Sequence, residues 1–101
     1  MRSLPNPIAF DWDEGNISKN FIKHSVTVQE AEEIFYNKPL VIVDDASHSS
    51  QEIRLHAFGK TKVNRMLFTA FTIRNNKLRI ISIRDMKRKE SLHYEKIEEN
   101  T

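Results

Sequence analysis

The chain has 101 residues, of which 39% are hydrophobic and 30% are charged, and it contains no cysteine. This composition predicts one soluble globular domain over residues 1–101, and it excludes a disordered chain, a disulfide framework and a thiolate metal site. Residues 1–7 are expected to form a loose arm without a signal-peptide pattern. No segment approaches the length of a membrane span, so a cytoplasmic protein is expected.

The net charge of +2 conceals an uneven distribution of charge along the chain. Between Arg54 and Lys89 there are eleven lysine or arginine residues and a single acidic residue, Asp85. Such a block forms either a solvated face or a footprint for a polyanion. Solubility alone does not require so large a local excess of positive charge, which favours the polyanion.

The first half of the sequence predicts two helices that follow a short strand. Asp13 and Asn16 can cap the first helix, and Thr27 with Glu30 forms a capping box before the second. The expected elements are an extra edge strand over Ile8–Trp12, a first helix that ends near His24–Ser25, and a second amphipathic helix over Val28–Tyr36.

After Pro39 the spacing of apolar residues changes from helical to extended, and short connections between the apolar runs predict an antiparallel meander. The expected elements are strands over Leu40–Val43, Ile53–Ala57, Met66–Ile73 and Leu78–Arg84, loops over Asp44–Ser50 and Gly59–Asn64, a turn over Arg74–Asn76, and a helix from Asp85 to about Glu98. The predicted class is α+β, with one helical layer on a four-stranded antiparallel sheet. The uncovered face of that sheet should be polar and basic.

Several short strings of residues span most of the chain, from Phe10 to about Tyr94. They are FDWD at 10–13, NFIKHSV at 20–26, EA at 30–31, Phe35, EIR at 52–54, RIISIRD at 79–85 and RKE at 88–90. In this order and spacing they resemble the BrnT family, ribonuclease toxins of bacterial type II toxin-antitoxin modules. The resemblance implies a fold similar to RelE, with two N-terminal helices on the sheet and a C-terminal helix.

The chain departs from the family pattern at three positions. Asn16 stands where many members have lysine, Ser25 where the Lys-His pair is usually followed by glycine, and Ile83 where a small residue usually precedes the arginine.

The resemblance implies a toxin that inhibits translation by cleaving RNA through attack of the 2′-hydroxyl, with no metal ion or other cofactor. Such cleavage needs a base for the 2′-hydroxyl, cations for the phosphate and an acid for the leaving oxygen. The candidate catalytic residues are Lys23, His24, Glu52, Arg54, His56, Arg79, Arg84 and Tyr94. The candidate RNA-binding residues are Lys60, Lys62, Arg65, Lys87 and Arg88.

The sequence pattern predicts different roles for the two arginines of the last predicted strand. Arg79 and Arg84 lie an odd number of positions apart, so without a bulge only one of them can share the face of Arg54. Arg84 is preferred for the site because it ends the strand. Arg79 is expected to pair with an acid such as Glu90.

Other candidates have simple structural explanations. Lys23 and His24 close a helix, where cations offset the macrodipole. Tyr94 suits a core position with one hydrogen bond, and Trp12 suits packing. Asp44–Asp45 are expected in a turn. The histidines lack the spacing of a zinc site.

A BrnA-like antitoxin with a DNA-binding portion is the implied partner, and its acidic segment is expected to cover the basic face in a hetero-oligomer. RNA is the implied substrate, and no membrane partner is expected. The alternative function is a non-catalytic RNA-binding or ribosome-binding module whose basic face is mainly an antitoxin interface.

Overall fold

The computed structural model describes residues 4–45 and 52–101. A four-stranded antiparallel meander in the order β1-β2-β3-β4 forms its centre. The strands are β1 (Val41–Asp44), β2 (Arg54–Lys60), β3 (Met66–Arg74) and β4 (Lys77–Asp85), and the helices are α1 (Glu14–His24), α2 (Val28–Glu33) and α3 (Arg88–Glu99). The α+β class and the meander are confirmed, whereas similarity to RelE stays a prediction. Most of the predicted Asp44–Ser50 loop lies outside the described residues.

Side-chain caps define where the first two helices begin. The Asp13 carboxylate accepts a hydrogen bond of 2.7 Å from the backbone N–H of Asn16, so α1 begins at Glu14. The predicted capping box before α2 is confirmed. The second helix is shorter than expected, because the chain leaves the α-helical pattern after Glu33 and continues as a turn over residues 34–36.

The N-terminal segment is more closely attached than predicted. Of the expected loose arm, residues 1–3 lie outside the described ranges, while Leu4 packs against the core. Phe10 forms a parallel bridge with Leu78, so the expected Ile8–Trp12 edge strand is reduced to a single bridge. Trp12 also packs against the core, and its indole N–H donates to Glu32 at 2.9 Å.

Two strand boundaries also differ from the sequence pattern. β2 runs through Gly59, which lies so close to the chain after α2 that a Cβ there would be 3.0 Å from Ile34 Cβ. β4 includes Asp85, and α3 begins only at Arg88. The predicted turn between β3 and β4 is confirmed, with Asn75 and Asn76 at φ values of 53° and 60°, as a type I′ hairpin requires.

The main hydrophobic core lies between one face of the sheet and the segment around α2. Phe35 packs edge-on against Phe71 of β3, with ring centroids 5.4 Å apart. The other buried apolar residues of this cluster are Val26, Ala31, Ile34, Leu55, Ala57, Leu67, Leu78, Ile80 and Ile83.

The opposite face of the sheet, here called the outer face, carries the even-numbered residues of β2 from Arg54 to Lys60. α3 lies against one half of it, which corrects the prediction of a single helical layer. The buried Tyr94 of α3 donates its hydroxyl proton to the Pro39 carbonyl at 2.6 Å, and Lys60 forms an ion pair with Glu98. Residues of β1, β2 and α3 enclose a groove of about 350 Å³. No helix in the described ranges is long and apolar enough to cross a membrane.

Candidate active site

β4 contains one more residue than the part of β3 with which it pairs. Ser82 pairs with Ala70, whereas Ile80 pairs with Phe71, so Ile81 is the extra residue of a β-bulge. A bulge shifts the alternation of side chains in one strand by one position.

The bulge brings the two arginines of β4 to the same face. Arg79 pairs with Thr72 and Arg84 with Phe68, and these two residues of β3 are four positions apart. Arg54 of β2 also pairs with Thr72, from the other side. The expectation that only one of Arg79 and Arg84 shares the face of Arg54 is therefore wrong, because it assumed a regular strand.

On the outer face, side chains of β2 and β4 flank β3, and the surface between them is here called the trough. Ala70 and Thr72 are small and buried, and they form its floor. Arg54 and His56 of β2 stand on one side, and Arg79 of β4 stands on the other. Two strand spacings separate these sides, about 10 Å at the backbone. The trough is defined by these five residues and has cations on both sides.

Arg84 lies beside the trough, at the end that α3 covers. Its guanidinium carbon is 4.3 Å from the centre of the Phe68 ring. It donates two parallel hydrogen bonds to the Glu90 carboxylate, at 2.8 and 3.1 Å. This bonding is the main reason that the pKa of Glu90 is lowered. Glu90, the acid expected to pair with Arg79, is therefore the partner of Arg84. The Glu90 carboxylate holds the Arg84 guanidinium in a fixed orientation.

Arg79 is bound by the N-terminal segment instead. Its guanidinium donates to Asp13 at 2.6 Å and lies 3.5 Å from Asp11. Asp11 is itself placed by a backbone hydrogen bond of 2.9 Å to Leu78. The pKa of Asp13 is lowered first by the backbone N–H of Asn16 and then by Arg79. Acidic residues remote in sequence thus hold this side of the trough.

His56 has a carboxylate partner that the sequence pattern did not suggest. Its Nε2 lies 3.0 Å from Oδ2 of Asp45, a side chain that is only 6% exposed. The imidazole also contacts the Phe68 ring edge-on, with centroids 4.9 Å apart. Asp45 was expected in a turn, but Val41, Val43 and Asp45 alternate along one strand face. This spacing at every second position was the sequence signal that could have placed the Asp45 side chain on a strand face.

Glu52 lies two residues before β2, beside the Arg54 end of the trough. It accepts hydrogen bonds of 2.6 and 3.3 Å from Arg74. This pairing is the largest cause of its lowered pKa, and the charges of Arg54 and Arg79 lower it further. Glu52 is therefore ionised near neutral pH and is a poor proton donor.

The family model described as "Ribonuclease toxin, BrnT, of type II toxin-antitoxin system" matches residues 12–90. The chain belongs to the BrnT family. Comparison with the curated proteins finds no similar sequence. Membership implies a toxin with ribonuclease activity and an antitoxin partner. The BrnT match begins at Trp12 and ends at Glu90, so it includes both sides of the trough.

Three of the predicted catalytic residues of this BrnT chain lie away from the trough. Burial raises the pKa of Tyr94 to about 12, and the Tyr94 hydroxyl donates a hydrogen bond to the Pro39 carbonyl. Both observations favour a packing role. Lys23 and His24 end α1, and His24 lies near Asp85 at the opposite end of β4 from Arg79.

Arg65 is surrounded by acceptors. It donates to Asp85 through two bonds of 2.7 and 3.0 Å and to Glu30 at 3.0 Å. Two further bonds reach the carbonyls of His24 and Ser25, at 3.1 and 3.0 Å. These contacts, here called the Arg65 clamp, use all five N–H groups of a guanidinium. They favour a structural role over the predicted contact with RNA.

The clamp also accounts for one departure from the BrnT pattern. Ser25 has a φ of 55°, a left-handed conformation that glycine adopts without strain. The usual glycine at this position is therefore explained by the backbone, which turns here so that the Ser25 carbonyl faces Arg65.

The remaining predicted RNA-binding residues are dispersed. Lys87 and Arg88 are exposed at the start of α3, and Lys62 is exposed in the turn between β2 and β3. Lys60 is paired with Glu98. At least five of the eleven cations between Arg54 and Lys89 pair with carboxylates, so the sequence tally overstates the free positive charge; they are Lys60, Arg65, Arg74, Arg79 and Arg84. Among residues 4–45 and 52–101, no group of three histidine or carboxylate side chains could hold a metal ion.

Proposed function

We propose that this BrnT toxin is a metal-independent endoribonuclease whose active site is the trough on the outer face. The observation that carries the proposal is the strand register at Thr72, which pairs with Arg54 on one side and Arg79 on the other and so puts both arginines on the face of His56. Cations on two strands and an imidazole then border one floor of small side chains. This arrangement suits a phosphate that must be held while a neighbouring hydroxyl loses its proton.

In the proposed reaction the scissile phosphate lies above Ala70 and Thr72. Arg54 and Arg79 donate hydrogen bonds to its non-bridging oxygens, where negative charge develops in the transition state. His56 accepts the proton of the 2′-hydroxyl, whose oxygen attacks phosphorus. The bond to the 5′-oxygen breaks, which leaves a cyclic 2′,3′-phosphate.

The leaving 5′-oxygen needs a proton, and two of the candidate acids are poorly suited to supply it. Glu52 has a lowered pKa and is ionised, while the Tyr94 hydroxyl is bonded to a backbone carbonyl. We therefore assign this proton to solvent. Arg84 contributes positive charge at the end of the trough, held there by Glu90 and Phe68.

The test is cleavage of a short single-stranded RNA by purified protein in EDTA, with Arg54→Ala in parallel. The wild type should cleave in EDTA, and its rate should fall as salt rises, because phosphate contacts are screened. Loss of cleavage in EDTA that magnesium restores would contradict the mechanism. Inhibited translation without any RNA cleavage would favour the non-catalytic RNA-binding or ribosome-binding alternative.

The proposed partner is a BrnA-like antitoxin that places an acidic segment on the basic surface. The exposed Lys87, Arg88 and Lys89 at the start of α3 adjoin Arg84, so an acidic chain there would lie close to the trough. Opposite charge would speed the encounter and set its register. Action on cellular RNA would place both proteins in the bacterial cytoplasm.

The partner proposal is tested by co-purification with the protein encoded beside the toxin, and by RNA cleavage measured before and after that protein is added. The complex should form and cleavage should stop. A complex that leaves the ribonuclease rate unchanged would contradict this role of the antitoxin.

A further inference from the structure

The pair formed by Asp45 and His56 has a geometry that packing alone does not require. Asp45 is nearly buried, at 6% exposure, whereas the His56 side chain is 29% exposed. Removing a carboxylate from water is costly unless it is paired and hydrogen-bonded. A buried acid that faces a partly exposed imidazole is the arrangement that orients a histidine for proton transfer.

Both ends of the pair are held by the sheet. The backbone N–H of Asp45 donates to the Arg54 carbonyl at 2.9 Å, which continues the pairing of β1 with β2 by one residue. His56 lies within β2, and its ring is also in contact with Phe68 of β3. The imidazole is therefore positioned by a carboxylate and by an aromatic ring.

The contact also decides which ring nitrogen carries the proton. An ionised carboxylate can only accept hydrogen bonds, so Nε2, which faces Asp45, must be the protonated nitrogen of neutral His56. Nδ1 is then unprotonated and can accept a proton. When it does so, the positive imidazolium lies beside the negative Asp45.

We infer that Asp45 is a positioning residue for His56, and that its buried carboxylate fixes the imidazole so that Nδ1 takes the proton of the RNA 2′-hydroxyl. The inference rests on the proposed ribonuclease function. It assigns Asp45 a role through His56 and no contact with RNA.

The test is a double-mutant cycle on RNA cleavage that uses Asp45→Asn, His56→Ala and the double variant. Asp45→Asn should lower kcat at least 10-fold while KM and the melting temperature stay close to wild type. In the His56→Ala background the same change should have no further effect, because Asp45 acts only through His56. Asp44→Asn, at the exposed neighbouring acid, is the matched control and should cleave at the wild-type rate.

Independent effects of the two substitutions, or a change confined to KM, would overturn the inference. Cleavage by His56→Ala at the wild-type rate would instead overturn the assignment of His56 in the proposed function, and this inference with it. If Asp45→Asn does not fold, ¹⁵N NMR of the wild-type imidazole decides the question. A neutral ring protonated at Nε2 is expected, and one protonated at Nδ1 would overturn the inference.

Discussion

The Arg65 clamp and the trough use the same type of side chain in opposite ways. In the clamp, one arginine near the end of β4 donates to two carboxylates and two backbone carbonyls, so its hydrogen-bonding capacity is filled by the protein. In the trough, arginines stand on both sides of buried small residues. The difference shows that local charge alone does not identify a phosphate site.

The acceptors around each arginine are the basis for proposing a structural role for Arg65 and a catalytic role for the arginines beside β3. Arg65 ties the α1–α2 connection to the sheet through contacts remote in sequence. Arg79 and Arg84 are oriented by acids too, but these contacts hold them at the border of one shared surface. Substitutions in the two regions should therefore affect different measurements.

The largest effect is expected for Arg54→Ala in the trough. RNA cleavage should fall roughly 100-fold to 1,000-fold, the usual loss when a donor to a developing oxyanion is removed. Lys62→Ala, an exposed cation outside the trough, is the control and should change the rate by less than about threefold. Equal losses in the two variants would indicate general attraction of RNA instead of a site.

Arg65→Ala should affect stability before activity. The free energy of unfolding of the Arg65→Ala variant should be lower than that of the wild type by about 2 kcal/mol, because two carboxylates and two carbonyls lose a charged donor. Denaturant titration measures this change, and the cleavage rate per folded molecule should stay close to wild type. A stable variant that has lost cleavage would place Arg65 in the active site.

Arg84→Lys should have an intermediate effect. The charge is kept, but the paired bonds to Glu90 and the contact with Phe68 need a planar guanidinium. We expect cleavage to fall about 10-fold, equivalent to about 1.4 kcal/mol in the barrier. Lys87→Arg on the exposed start of α3 is the control. A wild-type rate for Arg84→Lys with the fold intact would remove Arg84 from the site.

Lowering the pH should weaken the Arg65 clamp, but it should reduce the stability of the fold less than removing Arg65 does. The pKa of Asp85 is lowered mainly by Arg65, and the pKa of Glu30 is lowered mainly by the Thr27 backbone and then by Arg65. A carboxyl whose folded pKa is depressed stabilises the fold above its unfolded pKa, near 4, and loses that contribution as pH falls through the folded value. Melting temperatures should therefore drop below about pH 4.5, and less steeply in Arg65→Ala. Equal slopes would contradict this coupling.

The smallest expected effect is a gain in stability from Ser25→Gly. Relief of the left-handed strain, about 1 kcal/mol, exceeds the extra entropy of glycine in the unfolded chain, about 0.5 kcal/mol. Thermal melting should show a rise of a few degrees. Ser18→Gly within α1 should lower the melting temperature instead, and a similar fall for Ser25→Gly would contradict the backbone explanation.

The sequence predicted the order of helices and strands because periodicity, caps and turn residues are local signals. It did not predict the bulge, since Ile80 and Ile81 are both apolar and the run gives no sign of which is extra. Nor did it predict the partners of Arg79 and Arg84, which depend on where remote acids lie after folding. Asp45 was missed because an acid next to a loop is typical of a turn.

The extra residue of β4 decides which change of chain length the proposed catalytic surface can tolerate. Deletion of Ile81 alone would remove the bulge but leave Ile80 paired with Phe71 and Ser82 paired with Ala70. Arg79 and Arg84 would then be four positions apart in a regular strand and would both stay on the outer face. Loss of this one codon would therefore be expected to leave a toxin that folds and cuts RNA. Gene copies that lack the codon would be expected to keep their antitoxin, because the ribonuclease that it restrains would still be active.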